Sequence, residues 1–159
     1  MKYKEMKVID ILVVEDNPGD ARLIREVLDE NKIFNSLYIA RDGTEAMDFL
    51  NNNGRFKTAP KPDLIILDLN LPRKDGREVL AEIKTDDKLK HIPVVIMTIS
   101  QAEEDIMKSY NLHANCFITK PIDLTQFIKV VKSIEDFWFF AVKLPPKLAG
   151  GYNPSDRTI

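Results

Sequence analysis

Five polar residues stand where short apolar runs stop. Glu15 and Asp16 end one run, Asp68 a second, Thr98 a third and Lys120 a fourth. If those runs are parallel strands, their carboxyl ends meet along one sheet edge, where open α/β sheets bind ligands. Three carboxylates, one hydroxyl and one ammonium would then line a single crevice. That set suits a hard divalent cation together with a phosphoryl group. The two histidines, His91 and His113, precede the expected fourth and fifth strands. They fall away from the acids, which argues against a zinc hydrolase.

Two like charges about 4 Å apart cost about 4 kcal/mol at an effective dielectric of about 20. A fold that gathers Glu15, Asp16 and Asp68 must raise a pKa or bind a cation, and oxygen ligands favour Mg2+. Asp68 can also act as a nucleophile. A carboxylate beside Mg2+ can attack phosphorus and form an aspartyl phosphate. The transferring group spreads negative charge over three oxygens. Mg2+ would meet one, Lys120 a second, and the Thr98 hydroxyl with nearby backbone N–H a third. Singly, each residue has an ordinary explanation as a turn acid, a strand threonine or a solvated lysine. Jointly, one shared edge explains them all.

The elements that must position these residues alternate along the chain. Residues 7–14, 36–40, 63–69, 92–97 and 115–119 read as strands from their apolar and β-branched content. The third is the most apolar and is expected at the centre of the sheet. Asn17 is an N-cap and Pro18 a first helical residue, followed by an apolar stripe of Ala21, Ile24, Val27 and Leu28. Capping boxes at Asp42–Glu45, Asp75–Glu78, Ser100–Glu103 and Asp123–Gln126 open four more helices. The second is expected over 43 to about 50 and the third to about residue 86. Five strand–helix units imply an α/β protein with a doubly wound parallel sheet, helices on both faces and right-handed crossovers.

The chain has 159 residues, 44% hydrophobic and 30% charged, with a formal charge of -2. That describes one globular domain with no concentrated basic face for nucleic acid. The single cysteine, Cys116, excludes an internal disulfide. The apolar stretch at 8–14 is broken by Asp10 and ended by acids, so it reads neither as a signal peptide nor as a membrane span. A cytoplasmic location is the default expectation. Residues 7–140 are expected to form the domain and 141–159 an extended tail rich in Pro and Gly.

At these residues the chain resembles a response-regulator receiver domain of two-component signalling. The motifs are Val14-Glu-Asp-Asn-Pro18, Leu67-Asp-Leu-Asn-Leu-Pro72 with Asp75-Gly76, the strand ending in Thr98, and Thr119-Lys-Pro121. The resemblance covers about residues 8–137. Within the family it is nearest to the single-domain regulators that serve phytochrome-type histidine kinases, through residues 18–25, 69–78, 112–120 and Phe137-Trp138. It implies a flavodoxin-like five-stranded sheet of order 2-1-3-4-5 with five flanking helices. It implies that a kinase phosphohistidine donates a phosphoryl group to Asp68, and that the domain catalyses only its own phosphorylation and dephosphorylation. Mg2+ would be held by Asp16 and Asp68, by Glu15 partly through water, and by the Asn70 backbone carbonyl. Lys120 would bridge Asp68 and the phosphoryl group, with Lys120-Pro121 as a cis peptide. Thr98 and Phe117 would form the switch. Phe117 stands where tyrosine is frequent, and Ile99 where a small residue is usual; the bulk of Ile99 is expected to narrow access to the acyl phosphate, slowing water attack and small phosphodonors.

Output is expected through surface contacts. On the fifth helix Leu124, Phe127, Ile128, Val131 and Ile134 make a core stripe, while Val130 and Phe137-Trp-Phe-Phe140 add apolar area beyond it. Such a surplus suits an interface. A homodimer through the fourth helix, fifth strand, fifth helix and aromatic end is expected, the alternative being an aromatic cap folded back on its own domain. Three other functions compete with this reading. A Mg-dependent phosphohydrolase using Asp68 often needs a second acid two residues on, where this chain has Asn70. A receiver-like interaction module without phosphate would not need all five site groups. A nucleotide-binding loop is lacking, because Gly19 is the only glycine in the turn directly after the first strand.

Overall fold

Side chains along each strand alternate between two apolar layers, and this alternation builds the molecule. The computed structural model describes residues 8–30, 35–98, 102, 116–120, 123 and 125–133. The strands are β1 (Ile9–Val14), β2 (Asn35–Ala40), β3 (Leu64–Asp68), β4 (Val94–Thr98) and β5 (Cys116–Thr119). The helices are α1 (Pro18–Glu30), α2 (Gly43–Leu50) and α3 (Gly76–Thr85), with a 3-10 turn at Gly54–Phe56. Residues 125–133 are also helical.

The five strands form one parallel sheet in the order β2-β1-β3-β4-β5. β3 is central and buried along its whole length, as its composition requires. β2 lies at an edge and is mostly half-buried. Leu12, Val14, Ile65, Leu67, Val94 and Ile96 point toward α2 and α3, packing with Met47, Phe49, Val79, Leu80 and Ile83. Ile11, Val13, Leu64, Ile66, Val95, Met97 and Ile118 point the other way, onto Ile24, Val27 and Leu28 of α1 and Phe127 and Val131 of the 125–133 helix. The period of two in the strands and the stripe in α1 are the sequence causes of this three-layer arrangement.

Local chemistry sets the helix starts. Asn17 Oδ1 accepts from the N–H groups of Gly19 (2.8 Å) and Asp20 (3.1 Å), with Pro18 as the first helical residue. Asp75 and Glu78 form a reciprocal capping box. The Asp42 box is only half made. Asp42 Oδ1 accepts from Glu45 N–H at 2.8 Å, but the Glu45 carboxylate accepts from Arg41 N–H instead. Arg55 pairs with the other Glu45 oxygen, which helps draw that side chain out of the box. Gln126 N–H reaches Asp123 Oδ1 at 3.1 Å, as expected for the last helix. Strand ends differ from expectation by one or two residues: β1 starts at Ile9, and Pro93 delays β4 to Val94.

The Ser100–Glu103 box, the side chain of Thr98, Ile99, His113, the Lys120-Pro121 peptide, the aromatic end and the 141–159 tail lie outside the described residues. So do Leu124 and Ile134 and the Cys116 side chain.

Candidate functional site

β1 and β3 are neighbours in the sheet and end level with each other, Val14 opposite Leu67. Glu15, Asp16 and Asp68 therefore emerge side by side. Each offers a carboxylate oxygen within 4.8 Å of the others. Glu15 and Asp68 are each only 2% exposed, whereas Asp16 opens to solvent. β5 lies two strands away from β3, and the long Lys120 side chain crosses that distance. Its Nζ lies 2.9 Å from Glu15 Oε1 and 3.1 Å from Asp68 Oδ2.

The acids are fixed by backbone donors. Asn17 N–H donates to Glu15 Oε2 at 3.1 Å and Asn70 N–H to Asp68 Oδ1 at 3.0 Å. Asn70 thus enters the site through its N–H, tying down one oxygen of the central carboxylate. Glu15 Oε1 is within ion-pair distance of Lys120 but has no aligned hydrogen-bond donor among the described residues. A buried carboxylate oxygen in that state is poorly satisfied by an ammonium alone.

Burial pushes the Glu15 carboxyl up to about 7; Lys120 opposes this, and the Asp68 charge adds to it. Burial disfavours the Lys120 charge, yet its contacts with the Glu15 and Asp68 carboxylates outweigh that and hold its pKa above the ordinary lysine range. Three carboxylates around one ammonium leave excess negative charge. All-oxygen donors, a shared point of approach and an unsatisfied buried oxygen fit a divalent cation. Glu15, Asp16 and Asp68 are the carboxylates that could hold such an ion.

Glycine permits the approach of the next loop. A Cβ on Gly76 would lie 2.4 Å from the Asp68 carbonyl oxygen and 2.7 Å from Leu69 Cα. Gly76 N–H donates to Leu69 O at 3.1 Å in that contact. The start of α3 therefore braces the backbone that carries Asp68. Thr98 ends β4 beside this edge, paired in register with Thr119. Phe117 is half-buried and packs on the α2/α3 side of the sheet. His91 is exposed, in keeping with a residue outside the site.

Sequence reasoning missed Asp20. It occupies the first turn of α1, and its Oδ2 lies 3.1 Å from Lys120 Nζ. The available signal was an acid one helical turn beyond Asp16, which reads equally as a partner of the helix dipole.

Comparisons with known proteins agree with this geometry. The model of the response regulator receiver domain family matches residues 11–132. Response regulator Rcp1 from Synechocystis sp. is 53% identical over 135 residues, which is 85% of this chain and 92% of Rcp1. A crystal structure of the phosphorylated cyanobacterial phytochrome response regulator RcpA has a TM-score of 0.71 at 51% identity, covering 87% of this chain and 99% of that one. A crystal structure of the Mn2+-bound form of Rcp1 has a TM-score of 0.70 at 51% identity over the same shares. With the sheet order, the acid cluster and the bridging lysine in place, the chain belongs to the response regulator receiver domain family.

Proposed function

We propose that this protein is a phosphorylation-driven response regulator that accepts a phosphoryl group from a sensor histidine kinase onto Asp68. The observation that carries this reading is the position of Asp68. It ends the central strand, is almost fully buried, and lies within reach of both the Glu15–Asp16 pair and Lys120. Membership of the family supports a histidine kinase as partner. Similarity to Rcp1 and to the phytochrome response regulator RcpA favours a kinase of the phytochrome type.

In the transfer, a carboxylate oxygen of Asp68 forms a bond to phosphorus. The P–N bond of the phosphohistidine breaks, and its electron pair returns to the imidazole. Asn70 N–H holds one Asp68 oxygen and so fixes the plane of the nucleophile. Lys120, already paired to Asp68, offsets the charge that gathers on the phosphoryl oxygens. Glu15, Asp16 and Asp68 would hold Mg2+, with the Asn70 carbonyl as a further ligand. Bound there, Mg2+ supplies charge neutralisation for the phosphoryl oxygens. Thr98 would act as the switch hydroxyl, with Phe117 filling the space that its movement opens.

Output would pass through a homodimer formed by the fourth helix, β5, the fifth helix and the aromatic end. Residues 7–140 would be the receiver and 141–159 a tail, working in the cytoplasm. Among the described residues no helix is long and apolar enough to cross a membrane.

Incubation with Mg2+ and acetyl phosphate, followed by intact mass, tests the proposal. One added phosphoryl group is expected, absent with EDTA and absent in Asp68→Asn. No uptake by the unaltered protein would favour an interaction module that takes no phosphate. Continuous release of phosphate with many turnovers and no stable adduct would favour a phosphohydrolase.

A further inference from the structure

Lys120 is held by three carboxylates, and they are not equivalent. Its Nζ lies 2.9 Å from Glu15, 3.1 Å from Asp68 and 3.1 Å from Asp20. Glu15 and Asp68 also belong to the cation cluster with Asp16; Asp20 does not. A divalent ion drawn to that cluster would compete with the ammonium for Glu15 and Asp68 and would repel it. Asp20 is then the carboxylate left to Lys120 among the described residues.

Its placement is fixed. Asp20 lies in the first turn of α1, with its N–H bonded to Asn17 Oδ1 at 3.1 Å and the helix start set by Pro18. Its side chain is 34% exposed, against 1% for Glu15 and 3% for Asp68, so it sits on the open side of the lysine. We propose that Asp20 is a positioning residue for phosphoryl transfer, keeping Lys120 in the pocket while a cation occupies the other acids. This rests on Asp68 being the phosphoacceptor. In the assay reaction an Asp68 oxygen bonds to phosphorus, the P–O bond of acetyl phosphate breaks, and acetate leaves with the electron pair. Lys120 has to stand beside that phosphorus with its charge available.

An acid in the first turn also favours the helix dipole. That role would act on stability and would not depend on Lys120. Four proteins separate the two: the natural chain, Asp20→Asn, Lys120→Ala and the double variant. The initial rate of phosphoryl uptake from acetyl phosphate at saturating Mg2+ is read by intact mass. Asp20→Asn is expected to slow uptake about tenfold, the scale of one charged hydrogen bond, with Mg2+ affinity changed far less. Asp20→Glu is expected to recover much of the rate. In the Lys120→Ala background, Asp20→Asn is expected to change nothing further. A second readout needs no turnover. With Mg2+ bound, trace acetylation of Lys120 by acetic anhydride is expected to be faster in Asp20→Asn than in the natural protein. If the Lys120→Ala rates fall below detection, this labelling decides the matter.

An unchanged uptake rate in Asp20→Asn would overturn the proposal. So would an equal loss with and without Lys120, or identical labelling of Lys120. If the natural protein itself takes up no phosphoryl group, the assignment of Asp68 fails first and this inference with it.

Discussion

Glu15 is the residue where folding and metal binding meet. Its carboxyl rises from the ordinary 4.5 to about 7, mainly because it is buried. The folded, metal-free protein therefore keeps a proton that the unfolded chain releases between those values. The stability contributed by this group is full below about pH 4.5 and is lost as pH rises through about 7. Divalent affinity runs the opposite way, because the cation needs the ionised carboxylate. It is expected to climb toward pH 7 and level off above it. Denaturation in EDTA and Mn2+ titration, each across pH 5 to 8, would check both slopes, and Glu15→Gln should flatten them. Lys120 makes the matching case. Its replacement by Met would leave Glu15 and Asp68 buried without their cation. A loss of about 3 kcal/mol is expected in EDTA near pH 8. That loss should shrink toward pH 5 as Glu15 takes up its proton. An equal loss at both pH values in chemical denaturation would mean the ion pair does not carry the effect.

At the scale of elements, the helix starts aim the site. A Gly76→Ala change would drive a Cβ into the Asp68 carbonyl and the Leu69 Cα. Both obstacles are backbone, so the loop must shift. A cost of about 2 kcal/mol is expected, with slower phosphoryl uptake at unchanged secondary structure. Asn17→Ala removes the cap of α1, which takes two backbone N–H groups. It is expected to cost about 1 kcal/mol. Denaturant midpoints for the two variants, set beside their uptake rates, separate loop position from helix stability.

Much of this level was legible in the chain. Glu15, Asp68 and Lys120 continue the strand parity of Val13, Ile66 and Ile118, which face α1. Period-two patterning therefore places all three on one side of the sheet. Asn17-Pro18 and Asp75–Glu78 likewise announce their helices by local chemistry alone. Asp20 was not legible as a site residue, because its meeting with Lys120 depends on how α1 lies over the sheet edge. The Glu45 side chain was misjudged for a similar reason. Its carboxylate turns to Arg41 N–H, and Arg55, ten residues on, pairs with its other oxygen. The close approach of Gly43 to Lys74, which lets the start of α2 touch the loop after β3, is also a tertiary fact without a local signature.

For the whole molecule, the site joins three strands and α1, so a bound cation should tighten the entire fold. Mg2+ at about 100 times its dissociation constant is expected to add about 2.7 kcal/mol, seen as a higher melting temperature that Asp68→Ala abolishes. The two apolar layers meet at the sheet, and the pocket sits at their common edge. A charge added at Asp68 can therefore act on both layers at once. The most direct measurement of the central claim locates the modified residue itself. Protein treated with Mg2+ and acetyl phosphate is reduced with borohydride, which converts an aspartyl phosphate to homoserine, and the peptides are sequenced by mass spectrometry. Conversion at residue 68 alone is the expected result. Modification at Asp16, Glu15 or a histidine, with Asp68 untouched, would contradict it.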